Sequence, residues 1–141
     1  MVWAGSPTHH ADRSRSIPPS KLRPLLRLPG FQFYSLQVAR PNRPHLPKGI
    51  DLIDFTADIS DFADTAALVA ELDLIISVDT AVAHLAGGMG RPVWTLLPFE
   101  RDWRWGLAGE MTPWYPTMRL FRQPAAGDWD SVIERVAAEL G

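Results

Sequence analysis

Residues 74–84 read Leu74-Ile75-Ile76-Ser77-Val78-Asp79-Thr80-Ala81-Val82-Ala83-His84, and this stretch decides the fold. Its first half is a continuous apolar run, which suits a strand buried on both faces. Its second half turns to helical spacing at once. A helix from residue 80 to about 89 would carry Val82, Leu85, Ala86 and Met89 on one face. A buried strand running straight into a helix is the unit of a parallel α/β sheet.

The same alternation extends in both directions. Residues 2–4 read as strand, 5–18 as a polar, basic loop and 19–27 as a short helix stopped by Pro29-Gly30. Residues 31–37 are aromatic and strand-like, and 38–49 are a proline-bearing loop. Residues 50–55 form a second short strand. Asp61 or Asp64 caps a helix reaching about Leu72. Strands are expected at 92–97 and 118–121, separated by a tryptophan-rich loop over 98–116. Asp128 caps a last helix with Trp129, Val132, Ile133, Val136, Ala137 and Leu140 in register. The expectation is an α/β fold, a Rossmann-like parallel sheet with helices on both faces, forming one domain over 1–141.

Composition narrows the function. The chain has 141 residues, 46% apolar and 21% charged, with a formal charge of -2. Nothing advertises a nucleic-acid surface. With no cysteine, disulfides and thiolate metal sites are excluded. No apolar run reaches the ~18 residues that span a bilayer, and no leader pattern opens the chain, so a cytoplasmic location is expected. The loop histidines His9, His10 and His45 lack acidic partners at ligand spacing, so no metal is expected.

Parallel sheets bind ligands outside the carboxyl ends of their strands. That rule selects the loops 5–17, 79–81 and 98–109. In the second, Asp79 is placed as the helix N-cap, leaving other first-turn amides and the Thr80 hydroxyl free for a phosphate. His84 lies one turn on from Thr80, and Gly87 and Gly88 continue that face; on the residues alone, a plain capped helix with a hydrogen-bonded His84 is the simpler reading. In the first loop, Ser6, Arg13, Arg15 and Ser16 offer hydroxyls and guanidinium forks suited to phosphate oxygens, or form a solvated basic loop. In the third, the aromatics of Phe99–Trp105, followed by Trp114-Tyr115-Pro116, either stack on a base or sugar or cover the sheet's end. Trp105 and Trp114 read as packing residues.

Four pieces, WAGSPTHHADRSRSIP, LDLIISVDTAVAHLAGGMGRPVW, LLPFERDWRW and PWYPTMRLFRQ, resemble the C-terminal end of bacterial proteins that join tetratricopeptide repeats to a heptosyltransferase-type glycosyltransferase domain. The resemblance implies the C-terminal, donor-binding half of a GT-B fold and an inverting, metal-independent transfer. No cofactor is implied beyond the nucleotide-diphosphate sugar donor. It places Thr80, Ala81 and His84, with Asp79, near the donor diphosphate. Ser6, Arg13, Arg15 and Ser16 would line the opposite side, and Asp102 and Trp103 the donor's edge. His9-His10 stands where such proteins often carry a lysine. The catalytic base commonly belongs to the other half, so this chain is expected to be incomplete for catalysis alone. An acceptor domain or a repeat protein is the expected partner, and self-association through an open cleft face is plausible. The alternative is a non-catalytic nucleotide-binding or interaction module.

Overall fold

The computed structural model describes residues 1–38 and 46–141. The expected loop at 38–49 therefore falls largely outside the described residues, and His45 wholly so. Among the described residues there are five strands: β1 (Phe33–Ser35), β2 (Leu52–Asp54), β3 (Ile75–Val78), β4 (Val93–Leu97) and β5 (Met118–Arg122). The helices are α1 (Asp12–Arg15), α2 (Arg23–Leu26), α3 (Phe62–Glu71), α4 (Ala81–Gly88) and α5 (Trp129–Leu140). A 3-10 turn, Pro19–Leu22, precedes α2, with Pro24 inside its first turn, where a missing N–H costs nothing.

These strands pair in parallel: β1 with β2, β3 with β4, and β4 with β5. The N-terminal segment joins the two ladders. Val2 bridges Ser77, donating to the Ile76 carbonyl and accepting from Val78. On its other side, Met1 accepts from the Leu36 amide at 3.0 Å and donates its amino group to the Tyr34 carbonyl. The order is thus β2, β1, segment 1–4, β3, β4, β5. Counting segment 1–4 as the first strand, this is the doubly wound order, whose switch point lies between the first and fourth strands.

Alternation along the strands builds two cores. Ile76, Val78, Leu96 and Phe121 face one side, with Ile17, Leu22, Leu25 and the α5 residues Trp129, Val132, Ile133 and Val136. Ile75, Val93, Leu97, Met118 and Leu120 face the other, with Val69 of α3 and Ala83 and Ala86 of α4. Helices cover both faces, as continuous apolar strands require. Asp61 caps α3 through the Asp64 amide, and Asp128 caps α5 through the Ser131 amide.

The sequence reading needs three corrections. Residues 5–18 are not all loop, because α1 adds one helical turn that carries no buried residue and so no periodic signal. The buried face of α4 is Ala83, Ala86 and Gly87, not the larger set; Met89 is 38% exposed. Small residues win there because α4 packs tightly on β3 and β4, and the larger side chains are turned to the flanks. Asp79 is not the N-cap of α4, as described next.

Candidate functional site

All three loops at the carboxyl edge converge on Asp79. Arg15, closing α1, donates from Nη1 to the Asp79 carbonyl at 3.1 Å. This bond crosses the switch point from the first strand's loop to the fourth's. From the third loop, Trp105 donates its indole N–H to Asp79 Oδ2 at 2.9 Å.

Thr80 takes the N-cap position of α4, with extended backbone angles and no side-chain capping bond. Its hydroxyl instead shares a 2.9 Å hydrogen bond with the buried Ser77 hydroxyl. The carboxylate that a cap would use is drawn toward Trp105 and His84. The first turn of α4 therefore keeps the unsatisfied amides and positive dipole end common to helix N-termini.

His84 sits over this turn. Its ring stacks on Trp105, with centroids 5.3 Å apart and planes 23° apart. Nδ1 lies 2.9 Å from the Tyr115 hydroxyl. Nε2 lies 3.3 Å from Arg104 Nη1 and 3.7 Å from Asp79 Oδ1. Arg104 is in turn held by Asp102, through Nε at 2.9 Å and Nη2 at 3.2 Å. Tyr115 approaches closely because Gly87 has no side chain; a Cβ there would stand 2.6 Å from the ring's Cγ.

Charges follow this wiring. Burial pushes the Asp79 carboxyl up. The donors His84 and Trp105, with the nearby charge of Arg104, outweigh it and hold Asp79 below the usual carboxylate range. Asp102 is also lowered, chiefly by the Arg104 hydrogen bond, and Arg104 is correspondingly raised. A carboxylate stabilised this way is a weak proton acceptor, which counts against Asp102 as a base.

Two cavities flank this point. A polar cleft of roughly 640 Å³ is lined by Arg15, Asp79, Thr80, Ala81, His84 and Arg104, with Asp102 and the histidines 9 and 10 at its rim. A more apolar cavity of about 480 Å³ adjoins it across Arg15, Thr80 and Ala81, and takes in Ser6, Gln37, Val38, Ile59 and Phe62. Arg15 stands between them with its Nε buried and unpartnered.

Six of the ten residues singled out from sequence (Arg15, Asp79, Thr80, Ala81, His84 and Asp102) line the polar cleft. Ser6 lies in the apolar cavity instead. Arg13 and Ser16 face a hollow beside Trp3 and Pro18, away from the cleft. Ser16 braces its loop, accepting from the Gly5 amide and donating to Asp12. Trp103 is 81% exposed and lines neither cavity. The sequence reading grouped Tyr115 with the loop aromatics without foreseeing its contact with His84, and it underrated Trp105, whose indole both packs and anchors Asp79. Gly87, the small residue opposite Tyr115, was the available signal. Among the described residues no group of three or more His, Asp or Glu is placed to hold a metal, and no helix is long and apolar enough to cross a membrane.

A parallel, doubly wound sheet with a polar cleft at its switch point defines a Rossmann-like α/β protein. Residues 58–124, which run from before α3 through β5, match the model of glycosyltransferase family 9 (heptosyltransferase). The chain thus carries a glycosyltransferase-like segment, and the resemblance to heptosyltransferase-type proteins holds. It is also 33% identical over 144 residues to Protein FlbA of Caulobacter vibrioides, an alignment covering 93% of this chain and 23% of that protein. The chain therefore spans about a quarter of the length of that curated relative. No solved structure matches it.

Proposed function

We propose that this domain is the donor-binding half of an inverting glycosyl-transfer enzyme and holds a nucleotide-diphosphate sugar at the switch point. One observation carries the reading. The buried, unpartnered Nε of Arg15 and the uncapped start of α4 face a shared boundary between a polar cleft and an apolar cavity. A diphosphate supplies the acceptor oxygens that Arg15 and the first-turn amides lack. The nucleoside then enters the apolar cavity and the sugar extends into the cleft toward Arg104.

Such an arrangement stabilises negative charge on the departing nucleotide, which is the larger part of what a transferase must supply here. Abstracting the acceptor proton needs a base within hydrogen-bond reach. Asp102 is committed to Arg104, so the reading assigns the base to a facing domain that also holds the acceptor.

The test is a calorimetric titration of the chain with ADP-, UDP-, GDP- and dTDP-sugars. Micromolar binding of one of them is expected. Arg15→Ala and Thr80→Ala should each weaken it by about 1–2 kcal/mol, the loss expected for a charge-assisted contact. Absence of binding to every donor at millimolar concentration refutes the reading.

A further inference from the structure

Gln37 follows β1 at the carboxyl edge, and its side chain reaches across to the neighbouring segment 1–4. Its Oε1 accepts from the Trp3 amide at 3.1 Å and from the Ala4 amide at 2.8 Å. Its backbone amide donates to the Ser35 hydroxyl at 3.2 Å. Two backbone N–H groups can share only an acceptor, so the sense of the carboxamide is fixed. The oxygen turns to segment 1–4, and the NH2 is the end left over. Gln37 also lines the apolar cavity beside Arg15. It therefore offers that cavity a donor with two N–H bonds, set in place before any ligand arrives.

Position along the sheet edge decides what this donor meets. Outward from the switch point, the cavity is lined first by Thr80 and Ala81 at the opening of α4, then by Gly5 after segment 1–4. Gln37 after β1 comes next, and Ile59 and Phe62 at the start of α3 come last. A nucleoside diphosphate carries its parts in the order diphosphate, ribose, base. With the diphosphate at Arg15 and α4, the ribose falls at Gln37 and the base against Ile59 and Phe62. In dinucleotide-binding sheets of this strand order an acid accepts from the ribose 2′-hydroxyl. A carboxamide whose oxygen is already engaged reverses that polarity and donates.

We propose that Gln37 reads the ribose: its Nε2 donates to the vicinal 2′- and 3′-hydroxyl oxygens, so the site selects ribonucleoside diphosphates over their 2′-deoxy forms. The inference rests on the donor-binding reading above and narrows it to ribonucleotide sugars, excluding dTDP-sugars. A 2′-deoxy ligand leaves one N–H of a partly buried, pre-set donor without an acceptor, and that loss is the source of the discrimination. A Gln37 that only tied β1 to segment 1–4 would be blind to the sugar of the nucleotide.

Calorimetric titration of the chain with ADP, UDP and GDP, each paired with its 2′-deoxy counterpart, separates the two roles. For the base that binds, the 2′-deoxy form should bind roughly five- to tenfold more weakly. Gln37→Met keeps the side-chain length and loses both amide atoms, so its affinities for the two forms should agree within about twofold. Gln37→Glu keeps one oxygen on the Trp3 and Ala4 amides and turns the other to the cavity. There it accepts from the 2′-hydroxyl, so the preference for ribose should persist. The parent and Gln37→Glu decide the matter even where loss of the tie unfolds Gln37→Met. Equal affinity of the parent for the two forms, a preference that survives in Gln37→Met, or one that vanishes in Gln37→Glu overturns the proposal and leaves donor binding standing. Failure of every diphosphate to bind at millimolar concentration removes both.

Discussion

Trp105 donates its indole N–H to Asp79 across 2.9 Å, tying the aromatic loop after β4 to the turn that opens α4. Because Asp79 also accepts Arg15 at its carbonyl, this one residue holds all three loops of the carboxyl edge together.

The pair gives an acid-stability prediction. Asp79 is held below the ordinary carboxylate value of 3.8 in the fold. As pH falls, the unfolded chain binds this proton before the folded one does. The stabilisation is therefore present above the unfolded value and lost as pH drops through the lower folded value. Asp79→Asn lacks this titration, so its denaturant midpoint should fall less between about pH 5 and 2 than that of the parent. At pH 7, Trp105→Phe leaves a partly buried carboxylate oxygen unpaired and should cost about 1–3 kcal/mol. Parallel pH curves for Asp79→Asn and the parent would refute the assignment.

Gly5 gives a prediction that separates binding from folding. A Cβ at this position would stand 2.5 to 2.7 Å from Nη2, Nε and Cζ of Arg15. The obstructed group is the far end of a flexible side chain, so Arg15 can swing away at small cost to the fold. Gly5→Ala should therefore lower stability by no more than about 1 kcal/mol. Donor affinity should fall roughly tenfold, as for Arg15→Ala, because the guanidinium leaves the Asp79 carbonyl. Equal donor affinity in Gly5→Ala and the parent would place Arg15 outside the site.

The strand–helix alternation was legible because strands buried on both faces are written as unbroken apolar runs, as in β3 and β4. The amphipathic α5 and the caps Asp61 and Asp128 were legible for similar local reasons. The rank of the strands in the sheet was not. It depends on Met1 and Val2 lying between β1 and β3, a pairing across more than seventy residues that leaves no local pattern. At the site, Arg15 and Thr80 could be found from residue type and position. Arg13 could not be told from Arg15, since one turn of helix sends them to different sides. The Asp79 cap was misassigned because propensity favours Asp at an N-cap, whereas here the indole of Trp105, twenty-six positions on, claims the carboxylate.

Adjacent glycines in α4 should respond in opposite directions. At Gly87 a Cβ would come within 2.6 to 2.9 Å of Cγ, Cδ1 and Cδ2 of Tyr115, at the root of the ring, where a rotamer change cannot relieve it. Gly87→Ala should cost about 1–3 kcal/mol as overpacking. It should also pull the Tyr115 hydroxyl from His84. At Gly88 a Cβ meets nothing within 4 Å. Gly88→Ala should gain about 0.5–1 kcal/mol from reduced backbone freedom in the unfolded chain. Thermal unfolding of the two variants should bracket the parent, and the same sign for both would contradict the packing of α4.

The tryptophan-rich loop has little regular structure, yet two guanidinium groups order it. Arg122 of β5 donates to the carbonyls of Trp105, Gly106, Ala108 and Gly109. Arg101 donates to those of Phe99, Gly106 and Leu107. Burial, with the neighbouring charge of Arg101, lowers the Arg122 pKa, the sign of a cation placed there to satisfy carbonyls rather than an ion pair. A lysine keeps the charge but cannot fork to four oxygens. Arg122→Lys should therefore loosen the loop locally while the sheet stays folded. Chymotrypsin should cleave after Trp103 or Leu107, both already exposed, about tenfold faster than in the parent, with the global unfolding midpoint lowered by less than about 2 kcal/mol equivalent. Cleavage at the parental rate would mean that the loop is ordered by Trp105 and Trp114 packing instead. Proteolysis that tracks global unfolding would mean that Arg122 supports the sheet and not the loop.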